Sequence, residues 1–381
     1  MKSKLFIITL LLVILCSITS VAATDLNSNQ TIEIDSADDE MQLTETSNDV
    51  ISASSTFDDL QSQINKAKEG SVITLDRNYS SSTSQIKIDK DLTIDGKGHT
   101  LDGKNSKMSI ITSKNGKITL KNLIIINGED SYTKIGGGIA IYNSAQLIII
   151  NCTFKDNKAS HYGGAIYAGS KDNDLIVINS TFTNNEGTRD GGAIYSKGTV
   201  EVQNSRFFGN DAVEGGDIYT EKPIEIMNSI FNPNGKKAGF GGSVYTKDET
   251  YIENCTFTGY NANSKGGAIY TQKNLFVTNS KFTNNTAGEG GAIYAYTART
   301  VIDFSTFISN KATSGHGGAV YANKYTHLGN STFIANTAEN RGGAVYTDFI
   351  QFKDHVTFIN NSGKGHGGAI YTCTISNHIS D

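Results

Sequence analysis

Two carboxylates raise the question of chemistry. Asp190 and Glu214 each stand immediately before a Gly-Gly pair, at 191/192 and 215/216, in successive copies of one repeat. Stacked as neighbouring coils, their backbones would lie about 5 Å apart. Carbohydrate cleavage is the chemistry that such a pair of carboxylates at a defined separation would serve. The same position in other copies holds Tyr162, Phe240, Lys265, Glu289, His316, Arg341 and His366, and Asp217 replaces the Ala that usually follows the pair. Polysaccharide cleavage needs one converging constellation, either paired carboxylates or Arg/Lys with acidic residues around a cation. The coils have no long insertion to wall a cleft, and the seven histidines lack metal-ligand spacing. Nucleophile motifs and phosphate loops are missing as well. Solvated turn residues account for the whole row more simply. The expectation is therefore a chain with no catalytic residue, no metal and no cofactor.

The elements that position these residues recur from Gly163 onward. Each Gly-Gly pair is followed by a small or polar residue, then Ile or Val, then Tyr: Tyr167, Tyr195, Tyr219, Tyr245, Tyr270, Tyr294, Tyr321, Tyr346 and Tyr371, spaced 24 to 28 residues apart. Phe154, Phe182, Phe207, Phe231, Phe257, Phe282, Phe307, Phe333 and Phe358 run in step, each followed three residues later by Asn except Phe257, where Tyr260 stands. A fixed period of this length means stacked, near-identical units. Leucine-rich repeats share the period but need spaced leucines, whereas the apolar residues here are Ile, Val, Phe and Tyr, which favour strands. Val200 and Val202 alternate with Glu201 and Gln203, then Asn204-Ser205 turns the chain into Phe207. Three short strands and three turns per repeat make one coil of a parallel β-helix. The expected fold is all-β: a right-handed, single-stranded parallel β-helix of about twelve coils over residues 72–373, with strict repeats over 137–371. Two prolines in 381 residues suit a sheet that needs nearly every backbone N–H.

Like residues should stack in columns. The Phe column belongs in the core. Asn151, Asn179, Asn204, Asn228, Asn254, Asn279 and Asn330, at the turn before each Phe, are expected to point inward as a structural ladder bonded from coil to coil. Their N-x-Thr sequons at Asn151, Asn179, Asn254 and Asn330 would then be poor glycosylation sites, with Asn78 and Asn284 the better ones. The tyrosine column is the candidate ligand-contact surface. Facing outward, it is an aromatic ladder for sugars; facing inward or stacked on itself, it is structural. Ile or Val beside each Tyr leaves both orientations open to an alternation argument, and the structural orientation is the expectation.

Residues 1–23 read as a secretory signal peptide: Lys2 and Lys4, an apolar run from Leu5 to Ile18, and Val21-Ala22-Ala23 before the cut. Residues 24–55 carry eight acidic residues without Lys or Arg and read as a disordered leader. Phe57, Leu60, Ile64 and Ala67 lie at helical spacing behind Thr56, so residues 56–71 are expected to form an N-terminal capping helix over the open end of the solenoid. Residues 374–381 read as a tail without a cap. The formal charge of −5 is carried by the leader, which leaves no basic stripe for nucleic acid. Cys152 and Cys255 fall at equivalent places four coils apart, about 19 Å at the coil spacing, too far for a disulfide.

Gly-Gly-Ala-Ile paired with Phe-x-x-Asn, as in Gly191–Ile194 with Phe182–Asn185, resembles the polymorphic outer-membrane protein repeat. The run Leu92-Thr93-Ile94-Asp95-Gly96-Lys97-Gly98-His99-Thr100-Leu101-Asp102-Gly103 resembles the opening of adhesin-like surface proteins of methanogenic archaea. The resemblance implies a pectate-lyase-like β-helix, secreted to the cell surface or envelope, attaching to host or microbial cell-surface glycans or proteins. It implies no membrane span once the signal is removed. Neither the C-terminal barrel of bacterial members nor a cell-wall anchor is visible, so a capping or anchoring module is expected from outside this chain. Its alternatives are a β-helix polysaccharide lyase or glycoside hydrolase, and an inert spacer from a longer surface protein.

Overall fold

The computed structural model describes residues 55–296 and 299–376, all within one compact unit that spans 52–381. The expected signal peptide and all but the last residue of the expected acidic leader lie outside the described residues. Among the described residues every strand pairing is parallel, and strands assort into sheets of 13, 22, 6 and 3 members. The 13-stranded sheet holds the Phe strands, which gives a right-handed β-solenoid of about 13 turns. Register is residue on like residue: Phe154 pairs with Phe182, Phe182 with Phe207, and Tyr167 with Tyr195. One coil can be followed from Leu175–Ile178 through Thr181–Thr183 and Glu186–Gly187 to Ile194–Ser196. The 22-stranded sheet carries both the Ile-Tyr strands and the Val-x-Val strands of each coil. The last strand, Ile370–Ser376, runs three residues beyond the expected end of the solenoid.

Each Gly of the pair has its own reason. Gly191 adopts φ +66°, and a Cβ there would stand 2.0 Å from the Ile194 carbonyl oxygen. Gly192 meets the next coil, and its Cβ would lie 2.1 Å from the Gly216 carbonyl oxygen. The pair thus permits both a left-handed corner and close backbone stacking.

The capping helix forms but is shorter than residues 56–71: Ala67 leaves the helix and Ser71 already begins a strand. An α-helix covers Phe57–Lys66, with Thr56 and Asp59 in a reciprocal capping box. Phe57, Leu60 and Ile64 are buried in the main core beside Ile86 and Ile88. Burial of side chains of this size contributes about 1.5–3 kcal/mol each.

The Asn column before each Phe is not inward. Asn151, Asn179, Asn204, Asn228, Asn254 and Asn279 are exposed, and Asn330 is half-buried. All seven are left-handed, with φ between 40° and 53°. They form the outer apex of a corner, a conformation that Asn tolerates. Some bond across coils on the outside, as Asn151 Nδ2 donates to Asn122 Oδ1 at 2.7 Å and Asn254 Nδ2 to Asn228 Oδ1 at 2.8 Å. The inward residue at this corner is the next one. Ser180, Ser205, Ser229, Ser280, Ser305 and Ser331 are buried, and wherever the next coil also has Ser the backbone N–H donates to its hydroxyl, as Ser180 N to Ser205 Oγ at 3.1 Å. The buried Asn ladder stands three residues after Phe instead: Asn157, Asn185, Asn210, Asn285, Asn310 and Asn336. Asn185 Nδ2 donates to Asn210 Oδ1 at 3.0 Å and to the Phe154 carbonyl at 3.0 Å, so the amide is satisfied without water.

Candidate functional site: the tyrosine flank

The tyrosines share strands with Ile residues of the main core, so their rings emerge on the opposite face. There they build a second apolar cluster, in which Tyr195, Tyr219, Tyr245, Tyr270 and Tyr294 are buried and Tyr162, Tyr167, Phe240 and Tyr321 pack against them. From Tyr167 to Tyr371 successive ring centroids are 4.5–5.5 Å apart with planes within 18° of parallel. Each ring spends its faces on its neighbours. Sugar stacking needs a free face, and contact distance leaves no room for a pyranose between rings. Edges and hydroxyls remain. Tyr195 OH donates to Glu221 Oε1 at 3.2 Å, Tyr245 OH accepts from Gln272 Nε2 at 2.8 Å, and Tyr294 OH accepts from Lys265 Nζ at 3.0 Å. Burial is the main cause that pushes these phenols above the ordinary tyrosine range.

The row before Gly-Gly folds over this stack. Tyr162, Asp190, Glu214, Phe240, Lys265, Glu289, His316 and Arg341 are half-buried, and His366 is exposed. Asp190 bridges in parallel to Glu214 on the next coil. Partial burial raises both carboxyls above the usual range, and for Glu214 the charge of Asp190 adds to it. Arg189 and Lys247 oppose the shift at both. Lys265 lies 4.4 Å from the Tyr294 ring centroid and Arg341 4.8 Å from that of Tyr371, so cations cap the stack edges. The flank is thus a covered aromatic column under a mixed-charge row. No group of three or more His, Cys, Asp or Glu among the described residues could hold a metal ion. Two open clefts lie elsewhere, one beside the capping helix at Gln61 and Ile64, the other beside Asn151 and Thr153.

Asp217 corrects the sequence reading most sharply. It is no solvated turn residue: it is fully buried. Asn210 Nδ2 donates to its Oδ1 at 2.8 Å, and the Tyr260 hydroxyl donates to its Oδ2. Burial pushes its carboxyl up to about 7, with the hydrogen bonds from Tyr260 and Asn210 pulling the other way. The arrangement repairs a break in the Asn ladder. The coil that follows Phe231 carries the extra turn Pro233-Asn234-Gly235, and its Asn234 is exposed at φ 48°. The next coil has Tyr260 in the ladder position, where its N–H donates to Asn285 Oδ1 at 3.0 Å while its ring spans the gap to Asp217. The two departures were visible in the sequence as a missing Ala and a missing Asn; only the coil register shows that they answer each other.

Cys152 and Cys255 are buried and unbridged, and burial pushes both thiols up to about 12, so neither is a reactive thiolate. Both occupy the inward serine position.

Comparison with known proteins gives two family matches. The family described as right handed beta helix region matches residues 42–213 and 110–263. The Chlamydia polymorphic membrane protein repeat matches residues 279–296, 330–348 and 355–373. No curated protein and no solved structure matches this chain.

Proposed function

We propose, for a chain that belongs to the right-handed β-helix family, a non-catalytic role at the cell surface: an adhesin-like solenoid that holds extended glycans or proteins through repeated weak contacts. The Chlamydia-type repeat is associated with outer-membrane and surface proteins, which supports that location, as does the signal-like start of the sequence. One observation carries the reading. Equivalent outward positions lie in strict register from coil to coil, as Thr153 on Thr181 and Thr306 on Thr332 on Thr357. A polymer laid along the solenoid meets an equivalent outward position at each step of about 4.8 Å, Thr in most coils and Arg206, Ile230 or Lys281 in the others. Avidity over many such steps replaces a single deep pocket. Catalysis needs one preorganised constellation that stands apart from its neighbours, and Asp190 with Glu214 form part of a graded row. The ring faces of the tyrosines are occupied, so contact runs along exposed columns and tyrosine edges.

The test uses secreted residues 24–381 against arrays of cell-surface glycans and whole cells, with a parallel assay for sugar release. Binding should weaken in steps as whole coils are removed, and no single substitution should abolish it. Turnover that vanishes in Asp190→Asn or Glu214→Gln would overturn the reading in favour of a hydrolase or lyase. Absence of both binding and turnover would leave a spacer.

A further inference from the structure

The corner before each Phe strand carries a pattern that the repeat does not require. Asn151-Cys152-Thr153, Asn179-Ser180-Thr181, Asn254-Cys255-Thr256 and Asn330-Ser331-Thr332 are N-x-Thr sequons. The three remaining strict corners, at Asn204, Asn228 and Asn279, have Arg206, Ile230 and Lys281 where the sequons have Thr. All seven share one left-handed geometry. In each sequon the middle residue is buried in the core. Asn lies at the apex, and Thr begins the outward face of the 13-stranded sheet, half-buried. Acceptor and hydroxyl therefore present to the same side, and Asn151 and Thr153 border one open cleft with Lys97 and Asn122.

We propose that this corner is a row of N-linked glycosylation sites, occupied at Asn151, Asn179 and Asn254 and less fully at Asn330. The proposal rests on the secretion reading above, because the donor is a polyprenyl-phosphate- or diphosphate-linked oligosaccharide used by a membrane-bound oligosaccharyltransferase. The Asn amide nitrogen attacks the anomeric carbon. The bond from that carbon to the phosphate oxygen breaks, and its electron pair leaves with the phosphate. One amide proton passes to a base of the transferase, so nothing is oxidised or reduced.

The fold tolerates the product. Glycosylation removes one of two amide hydrogens, and Asn151 and Asn254 each use one to bond the preceding coil, at 2.7 and 2.8 Å. The backbone ladder is untouched, since Asn179 N donates to the Gln203 carbonyl. Asn330 divides its amide between Asp303 at 3.3 Å and Asp354 at 3.2 Å, so a glycan there displaces a contact. That is why its occupancy should be lowest.

The experiment produces the chain in a host whose secretory route has oligosaccharyltransferase. An established leader replaces residues 1–23, and a reference acceptor sequon is placed in a C-terminal tag. A parallel chain that keeps residues 1–23 tests the secretion reading separately, by whether its tag is modified. Glycopeptide mass spectrometry should find the four sequon sites occupied, Asn330 least, and Asn204, Asn228 and Asn279 bare. Thr181→Val should remove the glycan at Asn179 alone while the circular dichroism melt stays within a degree or two. An occupied tag with the four sites bare overturns the proposal, and so does occupancy confined to chains that fail to fold.

Discussion

The Phe and Tyr columns share a period and a stacking distance but have different jobs. Phe rings from Phe154 to Phe358 stack at 4.6–5.1 Å with planes within 12°. Tyr rings stack at nearly the same distance on the outer flank. In both columns like-on-like parallel register brings the rings to stacking distance, whichever way the column points. What differs is polar chemistry. Phe154, Phe182, Phe231 and Phe257 are 0% exposed and carry nothing to satisfy. In the Tyr column the hydroxyls of Tyr195, Tyr245 and Tyr294 reach the rim and bond Glu221, Gln272 and Lys265 respectively. The Phe column is uniform core, whereas the Tyr column is a rim whose edge can vary without disturbing the stack.

Truncation should separate the two most strongly. Phe231→Ala leaves a cavity between two rings in a core that cannot collapse onto it, a loss of about 3–5 kcal/mol. Tyr245→Ala removes a ring that is 7% exposed, at a flank whose covering row is only half-buried, so its cost should be about half as large. Urea unfolding followed by far-ultraviolet circular dichroism reads both. Equal losses would mean that the flank is core in all but name.

Carboxylates make the next contrast. Asp217 lies within the core and Asp190 at the rim. The folded carboxyl of Asp217 is raised to about 7 from an ordinary value of 3.8. A raised group binds its proton more tightly in the folded state. Its contribution is therefore complete below about pH 4 and is lost as pH rises towards 7, with a span of about 4 kcal/mol. The stability difference between the wild type and Asp217→Asn should change with that slope between pH 4 and 7 and be flat above. Asp190→Asn should give a much shallower change in the same direction, because solvent reaches half of the group. Tyr260→Phe removes a hydrogen bond that lowers the Asp217 value, so the upper end of the slope should move to higher pH. A flat Asp217→Asn difference would mean that water enters the site.

The columns themselves were legible in the sequence because period and residue type suffice for them: the Phe core, the capping helix and the parallel register follow from Phe207, Leu60 and the Gly-Gly pairs. Corner orientation was legible but misread. Counting alternation back from Phe182 places Ser180 inward and Asn179 outward, and the left-handed residue at 179 is where the strand pattern stops applying. The amide chemistry of an Asn ladder was the right idea placed at the wrong corner. The tyrosine flank defeated alternation for a different reason: both faces of the Ile-Tyr strand are covered, one by the core and one by the row before Gly-Gly. Asp217 needed a partner 43 residues away, whose proximity only the coil stacking supplies.

The smallest contrast is between two single hydroxyls. Tyr245→Phe keeps the stacked ring and removes one oxygen, which accepts from Gln272 Nε2 at 2.8 Å. Gln272 is half-buried at the rim, so water can take the lost place. The net loss should be at the low end for a hydrogen bond, about 0.5 kcal/mol. Tyr260→Phe also keeps its ring, but its oxygen is wholly buried and donates to a carboxylate. No water replaces it, and a charge-assisted bond is lost with an acceptor stranded, so the cost should reach about 2 kcal/mol or more above pH 7. Below pH 5 the Asp217 carboxyl is protonated, and the two substitutions should converge as the charge assistance disappears. Urea titrations of both variants at pH 5 and pH 8 measure this. If Tyr245→Phe proves as costly as Tyr260→Phe at pH 8, the rim is as dry as the core, and the distinction between the two columns fails.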